Sequence, residues 1–469
     1  MNRVNRQLIN NRYPEIVRRM MLEEAMGKYE GGASIMEMEE FVKTRGLELG
    51  RAMLELLMQN DSRVEETKIS ACVKCGKHIR ILEEKRQRTL NTLVGEVSYM
   101  RPYGVCDRCG LSYAPMDQQL GIPPHGMSMG LRQRISHAAV CCRSFESAAD
   151  VVKEHDAIRV SHKTVRIIAE GEGKELIERR QAEVDSYKRH ERIEAKNDVA
   201  ELMVVACDGG RIQTRQCNKD ERWKEDKVGV VYDALPQRDT SNTFDQYTGA
   251  TAQTKTYVAT MESWEAMGWM LRVEAEKRGY AQAKEKIFLA DGARTIREVK
   301  QLQFPEAHYI IDWCHVVGHL ADSAKAAFGE GTQKAANWYV RHKEKLWQGE
   351  VDDILIELQK LSKKVGLPQK GDTDTCPRVI LDRNAHSYFL NNKDAMNYPY
   401  FRSRGWPIGS GAAEGGVKQF ALRLKGSEKF WNVNNTGADE MLALCALYYS
   451  EDGRWQRYWQ HRGQPYQSP

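Results

Sequence analysis

The sequence predicts a multidomain α+β protein, in which small amino-terminal modules precede an α/β domain interrupted by a helical segment. Three observations carry this. Two Cys-x-x-Cys-Gly turns, Cys72–Gly76 and Cys106–Gly110, flank a stretch with the alternation of a hairpin. From residue 200 onward, short apolar runs alternate with segments of helical spacing. Between Asp312 and Phe401 the spacing turns helical.

The bulk numbers bound the reading. A chain of 469 residues has room for roughly two to four domains. Hydrophobic residues make up 41% and charged residues 29%, a balance usual for soluble proteins. No apolar run reaches the ~18 residues of a membrane span, and the polar start lacks the apolar stretch of a secretory signal. The expectation is a cytoplasmic protein. A net charge of +5 permits nucleic acid as a partner without demanding it. The eleven cysteines are odd in number, and four sit in the paired turns. That argues for a metal site inside a cell rather than a disulfide framework.

Residues 1–65 read as a helical arm for packing or dimerisation. Helical spacing covers 12–60, with Ser34 as cap and Met36, Phe41, Leu47, Leu54 and Leu57 along the helix. Residues 66–120 read as a zinc ribbon. Each turn offers two thiolates, its glycine relieves the tight backbone, and Cys72, Cys75, Cys106 and Cys109 complete a closed tetrahedral site for a structural Zn²⁺. Residues 121–199 read as a helix-turn-helix region and a linker. Phe145, Ala148, Ala149 and Val152 give the stripe of one helix, and Ser161 starts a second with Val165, Ile168 and Ala169 inward. Lys163 and Arg166 are then left outward for DNA, although an ordinary helical pair with a charged face fits as well. The charged stretch 171–199 reads as an exposed helical linker.

The larger domain is expected in two parts, 200–320 and 401–469, around a helical insertion at 321–400. Strands are expected at Leu202–Cys207, Lys227–Leu235, Thr256–Met261, Ile287–Ala290 and His308–Asp312, with helices after the third and fourth. The order βββαβαβ is the ribonuclease H-like arrangement. Asp208 and Asp291 each end a buried strand and each precede glycine, where α/β sheets place their chemistry. A two-metal site needs a third oxygen ligand. Glu414 supplies it, after Gly409-Ser-Gly and on a helix whose edge also carries Lys418 and Lys425. Two Mg²⁺, or Mn²⁺, are the expected ions. Arg402 and Arg404 are candidate DNA-backbone contacts. Trp406 and Trp431 read as core residues, with base stacking as the alternative.

These motifs resemble the DDE transposases of bacterial insertion sequences, closest to the ISKra-like family. The likeness runs from about residue 70 and rests on the cysteine turns leading into Tyr113–Asp117, on Asp208-Gly, Leu289-Ala-Asp291-Gly and Gly409-Ser-Gly…Glu414, and on Arg423–Gly426 with Trp431. Asp312-Trp-Cys-His315 is similar to the Asp-x-x-His element of Mutator-like transposases. The resemblance implies that Asp208, Asp291 and Glu414 form the catalytic triad, with Asp312 and His315 as auxiliary residues. It implies double-stranded DNA as partner, both element inverted repeats and target, self-association as a dimer or larger assembly, and a bacterial, nucleoid-associated setting. The family more often has valine where this chain has Ala413. Two rival readings share the motifs: a ribonuclease H-like nuclease or resolvase, and a zinc-ribbon DNA-binding regulator with an unused catalytic domain.

Overall fold

The computed structural model describes residues 32–60, 71–72, 74–123, 125–156, 158–195, 198–215, 218, 221–237, 247, 249–426, 428–432 and 436–463. The arm before residue 32 and the break expected at Asp61-Ser62 lie outside the described residues. The chain divides into two compact units, Met1–Ile168 with Trp455–Pro469, and Ala169–Arg454. Among the described residues no helix is long and apolar enough to cross a membrane.

In the first unit, helix α1 (Ile35–Gln59) begins where the sequence puts its cap. Glu37 N–H donates to Ser34 Oγ at 3.4 Å, and Ser34 N–H donates to the Glu37 carboxylate at 2.9 Å, a reciprocal capping box. Strands β1 (Ile79–Thr92) and β2 (Gly95–Cys106) pair antiparallel around a Leu93-Val94 turn, one residue before the expected Val94-Gly95, and β3 (Ser112–Tyr113) joins the far edge of β2. Helix α2 (Pro115–Gln119) brings Met116 onto Leu90, Val97 and Tyr99. Asp117 is buried there and is held by Arg88, by Arg101 at 3.2 Å and by the Tyr99 hydroxyl at 2.6 Å. Helices α3 (Met129–Cys141) and α4 (Phe145–Asp156) follow, with Ala148, Ala149 and Val152 inward as their spacing predicts.

Helix α5 (His162–Lys188) starts after Ser161, whose Oγ accepts from Thr164 N–H at 3.1 Å. Val165 and Ile168 are buried, and Lys163 and Arg166 are exposed. The charged stretch from 171 is not a solvated linker. It continues α5 as far as Lys188. A Cβ at Gly173 would collide with the Glu440 carbonyl, Arg180 donates to the Ala259 carbonyl at 2.8 Å, and Val184 enters the core of the second unit. Tyr187, Glu183 and Lys188 add a ring contact, an ion pair and a cation over Trp269, so the contact mixes polar and apolar groups and no plain apolar stripe announces it.

The second unit is built on a five-stranded sheet in the order β6-β5-β4-β7-β8. Its strands are β4 (Leu202–Gln213), β5 (Trp223–Leu235), β6 (Thr251–Thr260), β7 (Glu285–Ala290) and β8 (His308–Ile311). The first three are antiparallel neighbours, and β7 and β8 lie parallel to β4. Helices α6 (Trp264–Lys277) and α7 (Arg294–Gln303) cover one face through Met267, Leu271, Ile296 and Val299, packed on Val205, Val231 and Phe288. Helices α8 (Trp313–Phe328), α9 (Gln333–Trp347) and α10 (Val351–Val365) match the helical spacing after β8. Short segments follow: α11 (Pro377–Arg383), a π turn (Asn384–Tyr388), α12 (Phe389–Asn392) and α13 (Tyr398–Arg404). Helices α14 (Gly411–Leu424) and α15 (Thr436–Tyr449) return to the sheet, and α16 (Arg454–Arg462) belongs from Trp455 onward to the first unit. Against the sheet, a Cβ at Gly416 of α14 would lie 2.7 Å from the Tyr257 ring and 3.5 Å from Val228.

Candidate metal centres

The four paired cysteines meet. Cys72 and Cys109 Sγ are 3.5 Å apart, Cys75 and Cys106 Sγ 3.4 Å, and all four sulfurs lie within 4.8 Å of one another. The two turns repeat one geometry. Gly76 N–H donates to Cys72 O at 2.8 Å and Gly110 N–H to Cys106 O at 2.9 Å, with φ of +67° at both glycines. Backbone N–H groups of Cys109 and Arg108 favour the Cys106 thiolate and lower its pKa to about 6. Four sulfurs on two stiff turns fit a closed tetrahedral ion, and zinc is the metal such a set suits.

The second centre is assembled by strand register. In β4 and β7, Ala206 pairs with Leu289, and in β7 and β8, Ala290 pairs with Ile311. Continued past the ladder ends, these registers set Asp208, Asp291 and Asp312 side by side on three adjacent parallel strands, about 4.8 Å apart per step. Strand alternation fixes the face. Asp208 lies directly opposite Val228, which packs on Gly416, so Asp208 points toward α14 and away from the Cys207 side. Helix α14 carries Glu414 on its first turn.

The strand bearing Asp208 does not end there. The expected strand stops at Cys207, but β4 runs on through the two glycines to Gln213. At Gly210 a side chain would collide with Lys425 and the Asp226 carboxylate, so the glycine serves close approach and not a turn.

Asp312 does more than an auxiliary residue. It caps α8, accepting from the His315 N–H at 2.8 Å and from His315 Nδ1 at 3.0 Å, and its other oxygen accepts from Ser410 N–H. One buried carboxylate thus joins α8 to the glycine-rich turn before Glu414. Burial opposes its charge, but the donors from His315 and Ser410 prevail and hold it below the ordinary range. Its hydrogen bond raises the His315 pKa to about 9, with the Asp312, Asp291 and Asp208 charges adding to this. Asp208 is raised by burial, with Asp291 and Glu414 adding and the Gly209 N–H and His315 opposing. Asp208 thus feels the charges of Asp291, Glu414 and His315, and His315 those of Asp291 and Asp208.

Metal-ligand spacing is tightest elsewhere than expected. Asp312, His315 and Glu414 offer donor atoms within 4.8 Å of one another, whereas the expected carboxylates Asp208, Asp291 and Glu414 do not form such a set. Asp312 is already occupied by three N–H groups. Glu414 has lone pairs left, beside Asp208 and Asp291, and carboxylates suit Mg²⁺ or Mn²⁺, whereas the His315 imidazole, held protonated by Asp312, offers no lone pair until it loses a proton.

The expected cations take different places. Lys418 is exposed and lies 3.5 Å from Glu414 Oε2, whereas Lys425 sits 3.7 Å from the buried Asp226. Asp226 shares the Asp208 face and was not singled out in the sequence, where Glu-Asp-Lys reads as an ordinary charged strand edge. Arg402 donates to the Trp347 carbonyl at 2.9 Å and stacks over its ring, and Arg404 pairs with Glu285. Arg402 is engaged by that carbonyl and ring, whereas Arg404 stays exposed beside Glu285. Trp406 is fully buried, as the core reading expects.

A model of the uncharacterised protein family UPF0236 matches residues 28–462. The chain belongs to this family. The UPF0236 match spans the cysteine turns, the five strands and Glu414, so both centres fall inside it. Among curated proteins nothing matches. Among solved structures the chain is similar to the Drosophila P element transposase strand transfer complex, at 11% identity and a TM-score of 0.29, over 67% of this chain and 91% of that one. That likeness is too distant to transfer a residue or an activity.

Proposed function

We propose that this UPF0236 chain is a DDE-type DNA transposase, akin to those of bacterial insertion sequences and resembling the ISKra-like group. It binds the terminal inverted repeats of a mobile element, cuts the element's ends and joins them to target DNA. The observation that carries the reading is the register that aligns Asp208 with Asp291 on one sheet face, under the helix bearing Glu414. The strand order and sense support a ribonuclease H-like core.

Asp208, Asp291 and Glu414 would hold two Mg²⁺ or Mn²⁺ ions, with His315 beside them. Ions bound there would supply Lewis acidity for activating water or a 3′-hydroxyl and for stabilising the attacking and leaving oxygens alike, which would let one site serve hydrolysis and strand transfer. The chain's own groups do the rest. Asp312 fixes His315 and Ser410, which sets the Glu414 helix against the strand ends. Lys418 offers an exposed ammonium beside Glu414 for a backbone phosphate. The cysteine module, with Lys163 and Arg166 on the exposed face of α5, would hold duplex DNA, and self-association would bring two ends together.

The test is a joining assay with pre-cleaved element ends, the ends being taken from inverted repeats that flank the gene. Joined product that disappears in Asp208→Asn supports transposition. Cleavage without joining points to a nuclease or resolvase, and DNA binding with neither cleavage nor joining in the wild type, all unchanged in Asp208→Asn, points to a regulator.

A further inference from the structure

Past the end of β7 the chain leaves the sheet at Asp291-Gly292, and the carbonyls of both residues are taken by side chains of the helical insertion. Tyr388 Oη donates to Asp291 O at 2.8 Å, and Asn392 Nδ2 donates to Gly292 O at 3.2 Å. The fit is close. Gly292 has φ +91°, and a Cβ there would lie 2.9 Å from the Tyr388 ring and 3.1 Å from Asn392 Nδ2. On its own side the Asp291 carboxylate accepts from Ala293 N–H at 2.8 Å, so the turn's backbone path also sets where that carboxylate points.

Tyr388 is held from behind. Its ring stacks on His319 with centroids 3.6 Å apart and planes at 24°. His319 Nδ1 lies 2.9 Å from Asn384 Oδ1, and since an amide oxygen only accepts, the imidazole donates. The Asn384 amide donates in turn to His319 O at 3.1 Å and to Ser323 Oγ at 2.8 Å. Asn384 is fully buried and opens the π turn that Tyr388 closes. The wide turn closes with Phe389 N–H on Asn384 O, five residues back. Such turns are rare and cluster at functional sites, where the extra residue re-aims side chains. Here it sends Asn384 into α8 and Tyr388 onto Gly292. Among the described residues Asn392 Oδ1 is buried without a partner, a cost that accompanies aiming Nδ2 at the turn.

We propose that the π turn and Asn392 form a clasp that sets the position of Asp291, making Tyr388 and Asn392 positioning residues of the metal site. The insertion thereby contributes to metal affinity without supplying a ligand. The proposal rests on the reading of Asp291 as a metal ligand given above. Partners behind a metal ligand are worth roughly 10–100-fold in affinity when removed.

The experiment is Mn²⁺ titration of the full-length protein followed by electron paramagnetic resonance, with Zn²⁺ left in the cysteine module. Tyr388→Phe, which deletes only the hydroxyl, and Asn392→Leu are compared with wild type, Asp291→Asn and Leu358→Ala. Leu358 is a buried insertion residue on α10, so its truncation supplies a general loss of stability. The expected result is an Mn²⁺ affinity lowered about tenfold or more in Tyr388→Phe and Asn392→Leu, and unchanged in Leu358→Ala. Hydrogen exchange across residues 290–294 rises in the first two variants only. Wild-type Mn²⁺ affinity in Tyr388→Phe and Asn392→Leu, alongside weakened binding in Asp291→Asn, overturns the clasp and leaves the metal site standing. Unchanged binding in Asp291→Asn as well overturns the metal site itself, and the clasp with it. An equal loss in Leu358→Ala overturns the clasp by reducing it to general stability.

Discussion

The two centres hold similar numbers of ligands and are built in opposite ways. The cysteine module draws its sulfurs from two copies of one turn, each closed by a backbone bond from the same glycine position. The acidic centre draws on the middle of β4, the ends of β7 and β8, and the first turn of a distant helix. In the first, local hydrogen bonds create the site. In the second, long-range register creates it, and like charges are pressed together against their own repulsion. A structural site contributes to folding, whereas a reactive site stores unfavourable electrostatics. The two should therefore respond oppositely to mutation.

The largest effect is expected in the cysteine module. Structural zinc in small modules contributes on the order of 10 kcal/mol of apparent folding free energy. Cys72→Ser or Cys106→Ser should unfold residues 72–109 and release the bound ion. Metal analysis should find about one Zn per chain in the wild type and none in either variant. Native-like hydrogen exchange in a zinc-free Cys106→Ser protein would erase the contrast between the centres.

Next comes Asp208→Asn. Strand transfer should fall by on the order of 10³-fold or more, measured as joined product on a gel. Stability should move the other way. The carboxyl of Asp208 titrates above its ordinary value in the fold, so its contribution is present below the unfolded pKa and is lost as pH rises through the folded one. At neutral pH the charge is a burden, and Asn removes it. Without added divalent ion the variant should melt higher than wild type, and Mg²⁺ should narrow the gap. A lower melting temperature would show that the hydrogen bonds to this carboxylate outweigh its repulsion and burial.

This contrast also governs what the sequence made legible. The cysteine turns were readable because spacing and glycine encode their geometry locally. Asp208 and Asp291 were readable because each ends an apolar run. The extension of β4 was not, since Asp208-Gly-Gly reads as a turn while Gly210 instead admits Lys425 and Asp226 and Gly209 admits Glu225 and Trp264. Tyr388 and Asn392 left no trace, because they lie 97 and 100 residues from their partners in the Asp291 turn and act on backbone carbonyls. The packed part of α5 was hidden because its contacts are mixed in kind: a glycine, an arginine and a valine beside a tyrosine ring and charged partners.

Asp312→Asn sharpens the comparison at the next scale. Asp312 uses both oxygens as acceptors, and Asn must turn an N–H toward one of the three donors. A buried donor facing a donor costs roughly 2–3 kcal/mol. Chemical denaturation should show that loss, in contrast to the gain in Asp208→Asn, although the two side chains lie on the same sheet edge. Equal signs would mean that Asp312 belongs with the repelled charges and not with the framework.

The smallest effect is a slope. The His315 imidazole gains Asp312 as a partner, and its pKa rises from 6.5 to about 9. A raised pKa in the fold means that the protonated form is favoured there. Its stabilisation is fully present below about pH 6.5 and is lost as pH rises through about 9. The ring is more than a third exposed, so solvent screens part of the interaction. Measured without added divalent ion, wild-type stability should decline across this window more steeply than that of His315→Gln. Saturating Mn²⁺ should flatten the wild-type curve, since a cation takes over the task of balancing Asp208, Asp291 and Glu414. Identical slopes with and without Mn²⁺ would place the cation away from His315. The imidazolium would then be a fixed counter-charge, and the acidic centre would share with the cysteine module a framework built into the fold.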